Sequence, residues 1–261
     1  MPEGHTIHRA ARDQSGYLLG AIRASSPHGR FADGAADLDG QRLDGIDAYG
    51  KHLIYRWEEG HLLHVHLGLF GKFRVHRDPV PVPRDSVRLR LTADDATLDL
   101  TGPTACELFN HEDLARLLAR IGPDPLRPDS DPAPFFARAS RSRAAIGSLI
   151  MDQSVISGVG NVYRAEALFV CGIDPAREAR SLSDDERTQL WDTVTTMLQA
   201  GVRANRIITV DPKEAGVPRS KMRRRERTYA YRRESCLRCE GAILKGTLGA
   251  RTVYWCPTCQ T

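Results

Sequence analysis

Pro2 and Glu3 place a secondary amine beside a carboxylate at the start of the chain. Met-Pro-Glu begins many proteins for reasons of translation and processing alone, but the pair also suits covalent chemistry. With Met1 removed, the ring nitrogen of Pro2 becomes an α-amino nucleophile with an ordinary pKa of about 8. Unprotonated, it attacks a carbonyl-like carbon to form an imine, and Glu3 stands ready to move the protons involved. Four cysteines carry a different chemistry: Cys236, Cys239, Cys256 and Cys259 form two Cys-x-x-Cys pairs with sixteen residues between them. In a chain with no export signal this spacing predicts one structural Zn2+ held by four thiolates, not two disulfides. Cys106 and Cys171 stand apart and read as small buried hydrophobes.

The chain of 261 residues, 41% hydrophobic and 27% charged, has the composition of a soluble globular protein with room for more than one core. It contains no run of about 18 apolar residues and no secretion or organelle signal, so no membrane association and a cytoplasmic location are expected. Net charge is only +4, but residues 219–233 hold eight Lys or Arg against the single acid Glu226, with Tyr229 and Tyr231 interleaved. The segment reads either as a solvated basic loop or as a surface that faces phosphates.

The elements that must position these groups follow from periodicity. Ile7, Ala11 and Leu18 predict an amphipathic helix over residues 5–19, whose positive end favours the neutral amine. Short apolar runs bounded by Gly50, Gly60 and Gly71, then period-two alternation on either side of a polar turn at 93–95, predict antiparallel strands of a sandwich or barrel. Five prolines within 123–134 read as a linker.

Beyond it the chain is expected to be helical, with a capping box at Ser183 and Glu186. Ser157-Gly-Val-Gly-Asn161 is a Gly-rich turn with Asn161 as a helix N-cap, suited to an ordinary helical corner or to binding an anion. The last cysteines flank a β-hairpin with Gly249 and Ala250 near its tip and Arg251 beside it. The expected fold class is α+β multidomain. It comprises a β-sandwich with a long N-terminal helix (1–121), a linker (122–134), a helical domain (135–232) and a zinc finger (233–261).

Taken in order, the Met-Pro-Glu-Gly start, Tyr49-Gly-Lys-His52, His66-Leu-Gly-Leu-Phe-Gly71, Gly158-Val-Gly-Asn-Val-Tyr-Arg-Ala-Glu166 and the four-cysteine finger resemble the formamidopyrimidine-DNA glycosylase and endonuclease VIII family. The resemblance spans the whole chain. It implies a bifunctional DNA glycosylase and AP lyase of base excision repair. Pro2 would form a Schiff base with C1′ of the damaged nucleotide, Glu3 would shuttle protons, and the strand would be nicked by β,δ-elimination.

Lys51, otherwise a surface lysine on a turn, matches the lysine that contacts phosphate near the lesion. Asn161 and Arg251 match phosphate-binding positions of the helix–two-turn–helix element and the finger. Leu69 and Phe70, an apolar pair suited to a strand-end core contact or to a wedge, would fill the gap left by an extruded base. The implied partner is damaged DNA, duplex or single-stranded, bound by a monomer that associates with the bacterial nucleoid.

One position departs from the pattern: much of the family has a second acid three residues after Glu3, where this chain has Thr6, next to His5. The start and Leu69-Phe70 look more like the endonuclease VIII branch, which favours oxidised pyrimidines. The alternatives are an oxidised-purine glycosylase and a non-catalytic DNA-binding member of the fold. Residues 205–227 lie where some members close a loop over an oxidised purine, and their basic composition suggests mobility.

Overall fold

A computed structural model describes residues 2–261 and divides into two compact units, one up to Arg120 and one from Ile121 to Thr261. In the first, helix α1 (Gly4–Leu18) opens the chain. Strands β1 (Gly20–Ala21), β2 (Arg23–Ser25), β3 (Arg42–Tyr49), β4 (His52–Trp57), β5 (Leu62–His66), β6 (Lys72–His76), β7 (Val87–Thr92), β8 (Thr97–Thr101) and β9 (Ala105–Phe109) follow. A short helix α2 (Ala32–Leu38) precedes β3, and α3 (His111–Arg120) closes the unit.

The strands form two antiparallel sheets, β1-β3-β4-β5-β9 and β2-β7-β8-β6. Their inward residues, among them Leu53, Tyr55, Val65, Leu89, Leu91, Leu98 and Leu100, share one core with Ile7, Ala11 and Leu18 of α1. Alternation turns one apolar row of each strand to this core, while Ile54 of β4 and Leu62 of β5 are buried on the opposite side of their sheet. Helix α1 packs on β3 and β4, and the buried hydroxyl of Tyr55 donates to Gln14 Oε1. The N-terminal residues are thereby fixed to the sheet. Helix α1 spans Gly4–Leu18, so the 3.6-residue periodicity located it to within a residue.

The second unit is built from α4 (Ala133–Ala139), α5 (Ile146–Leu149), α6 (Asn161–Val170), α7 (Asp184–Ala204), α8 (Pro212–Ala215) and the hairpin β10 (Leu244–Leu248) and β11 (Arg251–Trp255). Ser183 and Glu186 make the expected reciprocal capping box at the start of α7. The stretch before α6 is less helical than its apolar content suggests: only Ile146–Leu149 are α-helical, and residues 150–160 are turns. The start of the proline-rich stretch packs within this unit, since Gly122 N donates to Gln153 O and Ser157 N to Pro123 O.

Two cores result. One joins Phe135, Ile146, Ile156, Val159, Tyr163, Trp191 and Leu198. The other joins Phe169, Ile208, Val210, Met222 and Tyr229 to Cys236, Ile243 and Cys256 of the finger. Apolar residues of the 205–231 segment are therefore held in a core, while Arg223, Arg224 and Arg225 stay exposed. Among the described residues, no helix is long and apolar enough to cross a membrane.

Candidate active site and metal centre

The Pro2-Glu3 pair sits at the mouth of α1. Pro2 is half-buried, whereas Glu3, the N-cap residue, is fully buried. Its carbonyl accepts from Thr6 N at 2.9 Å, closing the first helical turn. A carboxylate out of solvent at a helix N-terminus is stabilised by the helix dipole and kept beside the amine. Met1 lies outside the described residues. The position of the absent family acid holds Thr6, whose Oγ1 is 3.3 Å from Nε2 of buried His5. Burial lowers the His5 pKa to about 4, so its imidazole is neutral near pH 7.

Lys51 occupies the second position of the two-residue turn between β3 and β4, closed by the Tyr49–His52 pair. Gly50, with φ of 58°, supplies the backbone shape that such a hairpin turn needs. Three histidines stand next to it. His52 Nδ1 lies 2.8 Å from His64 Nε2, His64 Nδ1 lies 3.0 Å from Glu107 Oε1, and the His52 and His66 rings are 4.8 Å apart. Burial, with neighbouring His66, His64, Arg120 and Lys51, drives His52 down to about 3. Burial likewise lowers His64 and His66. These imidazoles are neutral spacers at pH 7. Sequence order hid the cluster, because it is assembled across three strands by the register His52↔His66 and His64↔Glu107.

Leu69 and Phe70 lie on the loop between β5 and β6. Gly71 N donates to Leu67 O at 2.9 Å, which pinches the loop shut. Gly68, at φ of 62°, abuts Thr104 so closely that a Cβ would fall 1.8 Å from its Oγ1. The pinch leaves the two apolar side chains outside: Leu69 is 59% and Phe70 84% exposed, so neither packs in the core.

In the second unit the two turns before α6 are stapled by Gln153. Its Nε2 donates to Met151 O and Val159 O, and its Oε1 accepts from Gly158 N. Gly160, not Asn161, is the N-cap of α6: Gly160 is still extended, Asn161 is the first helical residue, and its side chain is engaged elsewhere. Asn161 Nδ2 donates to Thr252 O at 3.0 Å, and Asn161 Oδ1 accepts from Arg164. Buried Arg164 also donates to Thr252 O at 2.7 Å. Asn161 is thereby brought next to Arg251, which is exposed beside the hairpin tip Gly249-Ala250. Gln153 and Arg164 were not singled out from sequence, since a glutamine in a turn and an arginine in a helix carry no local signal of such contacts.

Glu166 organises the basic segment. Its carboxylate accepts backbone N–H from Tyr229 (2.6 Å), Ala230 (2.9 Å) and Tyr231 (2.8 Å), and the Thr209 hydroxyl. Burial pushes its pKa up, against these hydrogen bonds, which favour the charged form. Tyr229 stacks on Phe169, with the Arg238 guanidinium 4.9 Å from its ring centroid. It is therefore a core residue, not an aromatic offered to a partner.

The four finger cysteines converge, with all ligand atoms within 4.8 Å of one another. The Cys236–Cys259 sulfurs are 3.8 Å apart and the Cys239–Cys256 sulfurs 3.4 Å. Tetrahedral Zn–S bonds of ~2.3 Å separate sulfurs by about 3.8 Å, whereas a disulfide needs ~2.05 Å. The donor set therefore fits a tetrahedral thiophilic metal. Gln260 ties this end to the turn that follows α6, accepting from Cys256 N and donating to Ile173 O, each at 2.9 Å. Cys106 is buried as expected, and Cys171 is half-buried.

Comparison with known proteins agrees with this architecture. The formamidopyrimidine-DNA glycosylase N-terminal domain matches residues 1–105, and the formamidopyrimidine-DNA glycosylase H2TH domain matches residues 121–212. The chain is 45% identical to Endonuclease 8 1 of Mycobacterium tuberculosis (strain ATCC 25618 / H37Rv), covering all of both chains. It is 30% identical to the formamidopyrimidine-DNA glycosylase of Laribacter hongkongensis (strain HLHK9), over all of this chain and 98% of that one. Its fold superposes on Lactococcus lactis Fpg (MutM), solved with DNA containing N7-benzyl-Fapy-dG, with a TM-score of 0.81. That match has 24% identity and covers 99% of each chain.

Sandwich, two-turn element and cysteine finger, matched along their full length, define a bifunctional DNA glycosylase and AP lyase. Within that class the chain belongs to the formamidopyrimidine-DNA glycosylase and endonuclease VIII family.

Proposed function

We propose that this protein excises oxidised bases, pyrimidines foremost, from damaged DNA through a Schiff base on Pro2, and then nicks the strand by β,δ-elimination. The observation that carries the reading is the half-buried Pro2 beside the fully buried Glu3 at the N-terminus of a helix packed on the sandwich. The Pro2 nitrogen attacks C1′, and the C1′–base bond breaks with its electron pair leaving on the protonated base. Sugar-ring opening gives the iminium. Glu3 exchanges protons with the sugar; loss of the C2′ proton turns the iminium into an enamine, whose electron pair then breaks the C3′–O bond, so that the 3′ phosphate departs and a conjugated iminium remains. A second elimination releases the 5′ phosphate.

Lys51, Asn161 and Arg251 bind phosphates of the lesion-bearing strand, and Leu69 with Phe70 fill the space of the extruded nucleotide. Zn2+ on Cys236, Cys239, Cys256 and Cys259 makes the hairpin rigid enough to hold Arg251 in place. The preference for pyrimidines is supported by the greater identity to an endonuclease 8 than to a formamidopyrimidine-DNA glycosylase. The domains divide at 1–121, 122–134, 135–232 and 233–261, and the protein works as a cytoplasmic, nucleoid-associated monomer.

Borohydride reduction in the presence of abasic duplex DNA tests the chemistry. Protein lacking Met1 is expected to give a covalent adduct, and one extra residue before Pro2 is expected to abolish it while DNA binding is largely kept. Failure of the processed wild-type protein to be trapped would sink the reading.

A further inference from the structure

The chain His52–His64–Glu107 crosses three strands on the face of the five-stranded sheet turned away from the sandwich core, while Leu53, Leu63, Val65 and Cys106 take the other face. Its two hydrogen bonds have a direction. Glu107 is exposed, and a carboxylate only accepts, so His64 Nδ1 must donate across the 3.0 Å to Oε1. Burial keeps the His64 ring neutral near pH 7, against the opposing pull of Glu107. A neutral imidazole has one N–H, so His64 Nε2 carries a lone pair and accepts from His52 Nδ1 at 2.8 Å. His52, neutral for the same reason, is left with a bare Nε2. Both rings are thus held as the Nδ1–H tautomer, the less populated one of a free histidine side chain in water. Phe109 stacks on His64, with ring centroids 4.4 Å apart, and fixes the plane of that ring.

The bare nitrogen has a defined place. His52 pairs with His66 beside the β3–β4 turn, and His64 lies farther from that turn, paired with Ile54. The two nitrogens of an imidazole face nearly opposite ways. With Nδ1 aimed at His64, Nε2 faces the turn that carries Lys51. The Lys51 charge contributes to lowering both His52 and His66, so it lies within electrostatic reach of these rings. An ammonium has three donors and no acceptor. A lone pair at the end of two aligned imidazole dipoles, backed by the negative charge of Glu107, attracts it; the reversed chain would present an N–H and repel it.

We propose that Glu107 is a positioning residue for Lys51: through His64 it holds His52 as a hydrogen-bond acceptor, which orders the Lys51 ammonium before a phosphate arrives. The inference rests on the reading of Lys51 as a phosphate contact. A carboxylate that selects a histidine tautomer acts without touching the substrate, and a side chain ordered in advance loses less freedom on binding.

Nitrogen NMR of the histidine rings in the full-length, zinc-loaded protein reads the direction. Wild type should show His52 and His64 protonated at Nδ1 and bare at Nε2, and Glu107→Ala should move His64 towards Nε2–H. A wild-type His64 protonated at Nε2, or a tautomer unmoved in Glu107→Ala, overturns the proposal. Affinity for a duplex with a central abasic-site analogue reads the consequence. Removing an acid from a protein that binds a polyanion should by charge alone tighten binding. Glu107→Ala should instead weaken it about two- to tenfold, the equivalent of one long side chain left unordered. Glu112→Ala, at an exposed acid of α3, gives the effect of charge alone.

In a Lys51→Ala background the weakening by Glu107→Ala should vanish, because the two residues act in series. Equal or tighter binding by Glu107→Ala, or the same weakening without Lys51, refutes the positioning role. Lys51→Ala binding as tightly as wild type removes the phosphate-contact reading and the proposal with it. Failure of the glycosylase reading is separate: it shows as no borohydride adduct from wild type, whatever the tautomers.

Discussion

Glu166→Gln isolates the buried carboxylate that fixes the basic segment. The substitution keeps the shape but turns one acceptor oxygen into an NH2 group. If NH2 faces Ala230 and Tyr231, two buried backbone N–H groups lose their acceptor. In the other orientation it faces Tyr229 N and the Thr209 hydroxyl. Thr209 Oγ1 also lies 3.0 Å from Arg227 O, so its hydroxyl can donate there and accept from the amide instead. Only Tyr229 N–H is then stranded, and this orientation wins.

One unsatisfied buried N–H costs about 1–3 kcal/mol, and the surviving bonds lose their charge assistance, giving about 2–4 kcal/mol in all. The measurement is amide hydrogen exchange at residues 229–231, where protection should fall roughly 30- to 700-fold, at about 1.4 kcal/mol per tenfold. Glu166→Ala, which strands all three N–H groups, should fall further. Unchanged protection at these residues in Glu166→Gln would refute the claim that the carboxylate holds the segment.

Acid sensitivity should come from buried histidines: burial pushes His52 down to about 3 and His5 down to about 4 in the folded chain, below the ordinary imidazole value of about 6.5. The unfolded chain therefore binds more protons in this window, and stability falls as pH drops from 6.5 towards 3, by at most about 1.4 kcal/mol per pH unit per imidazole. Urea melts across pH should show His52→Gln with a shallower slope, and a slope identical to wild type would contradict the assignment. Cys256→Ala or strong chelation should remove one equivalent of zinc by metal analysis and loosen the core around Phe169 and Tyr229; full metal retention would exclude a four-thiolate site.

Leu69→Ala and Phe70→Ala should leave stability within about 0.5 kcal/mol, because both side chains are exposed. Trapping on abasic duplex should slow about tenfold or more, since unstacking costs a few kcal/mol per step, while trapping on single-stranded abasic DNA should not change. Equal slowing on both substrates would rule out the wedge.

Local sequence determined what local physics controls. The 3.6-residue period of Ile7, Ala11 and Leu18 located α1, period-two alternation located the strands, and the Ser183–Glu186 capping box started α7. The paired Cys-x-x-Cys spacing located a cluster that could hold a metal ion, because a tetrahedral site needs only four thiolates from two short turns. The adjacency of Pro2 and Glu3 is likewise a property of the chain itself.

Contacts between distant segments were decided by tertiary structure. Asn161 reads as an N-cap, yet its side chain bonds Thr252, ninety-one residues away, and Gly160 caps the helix. Tyr229 reads as an aromatic for a partner, yet three backbone N–H groups held by Glu166 turn its ring into a core. The His52–His64–Glu107 chain exists only because strand register aligns residues that no spacing rule connects. The physical reason is common to all of them: a buried polar group must find a partner, and only the folded chain determines which partner lies within reach.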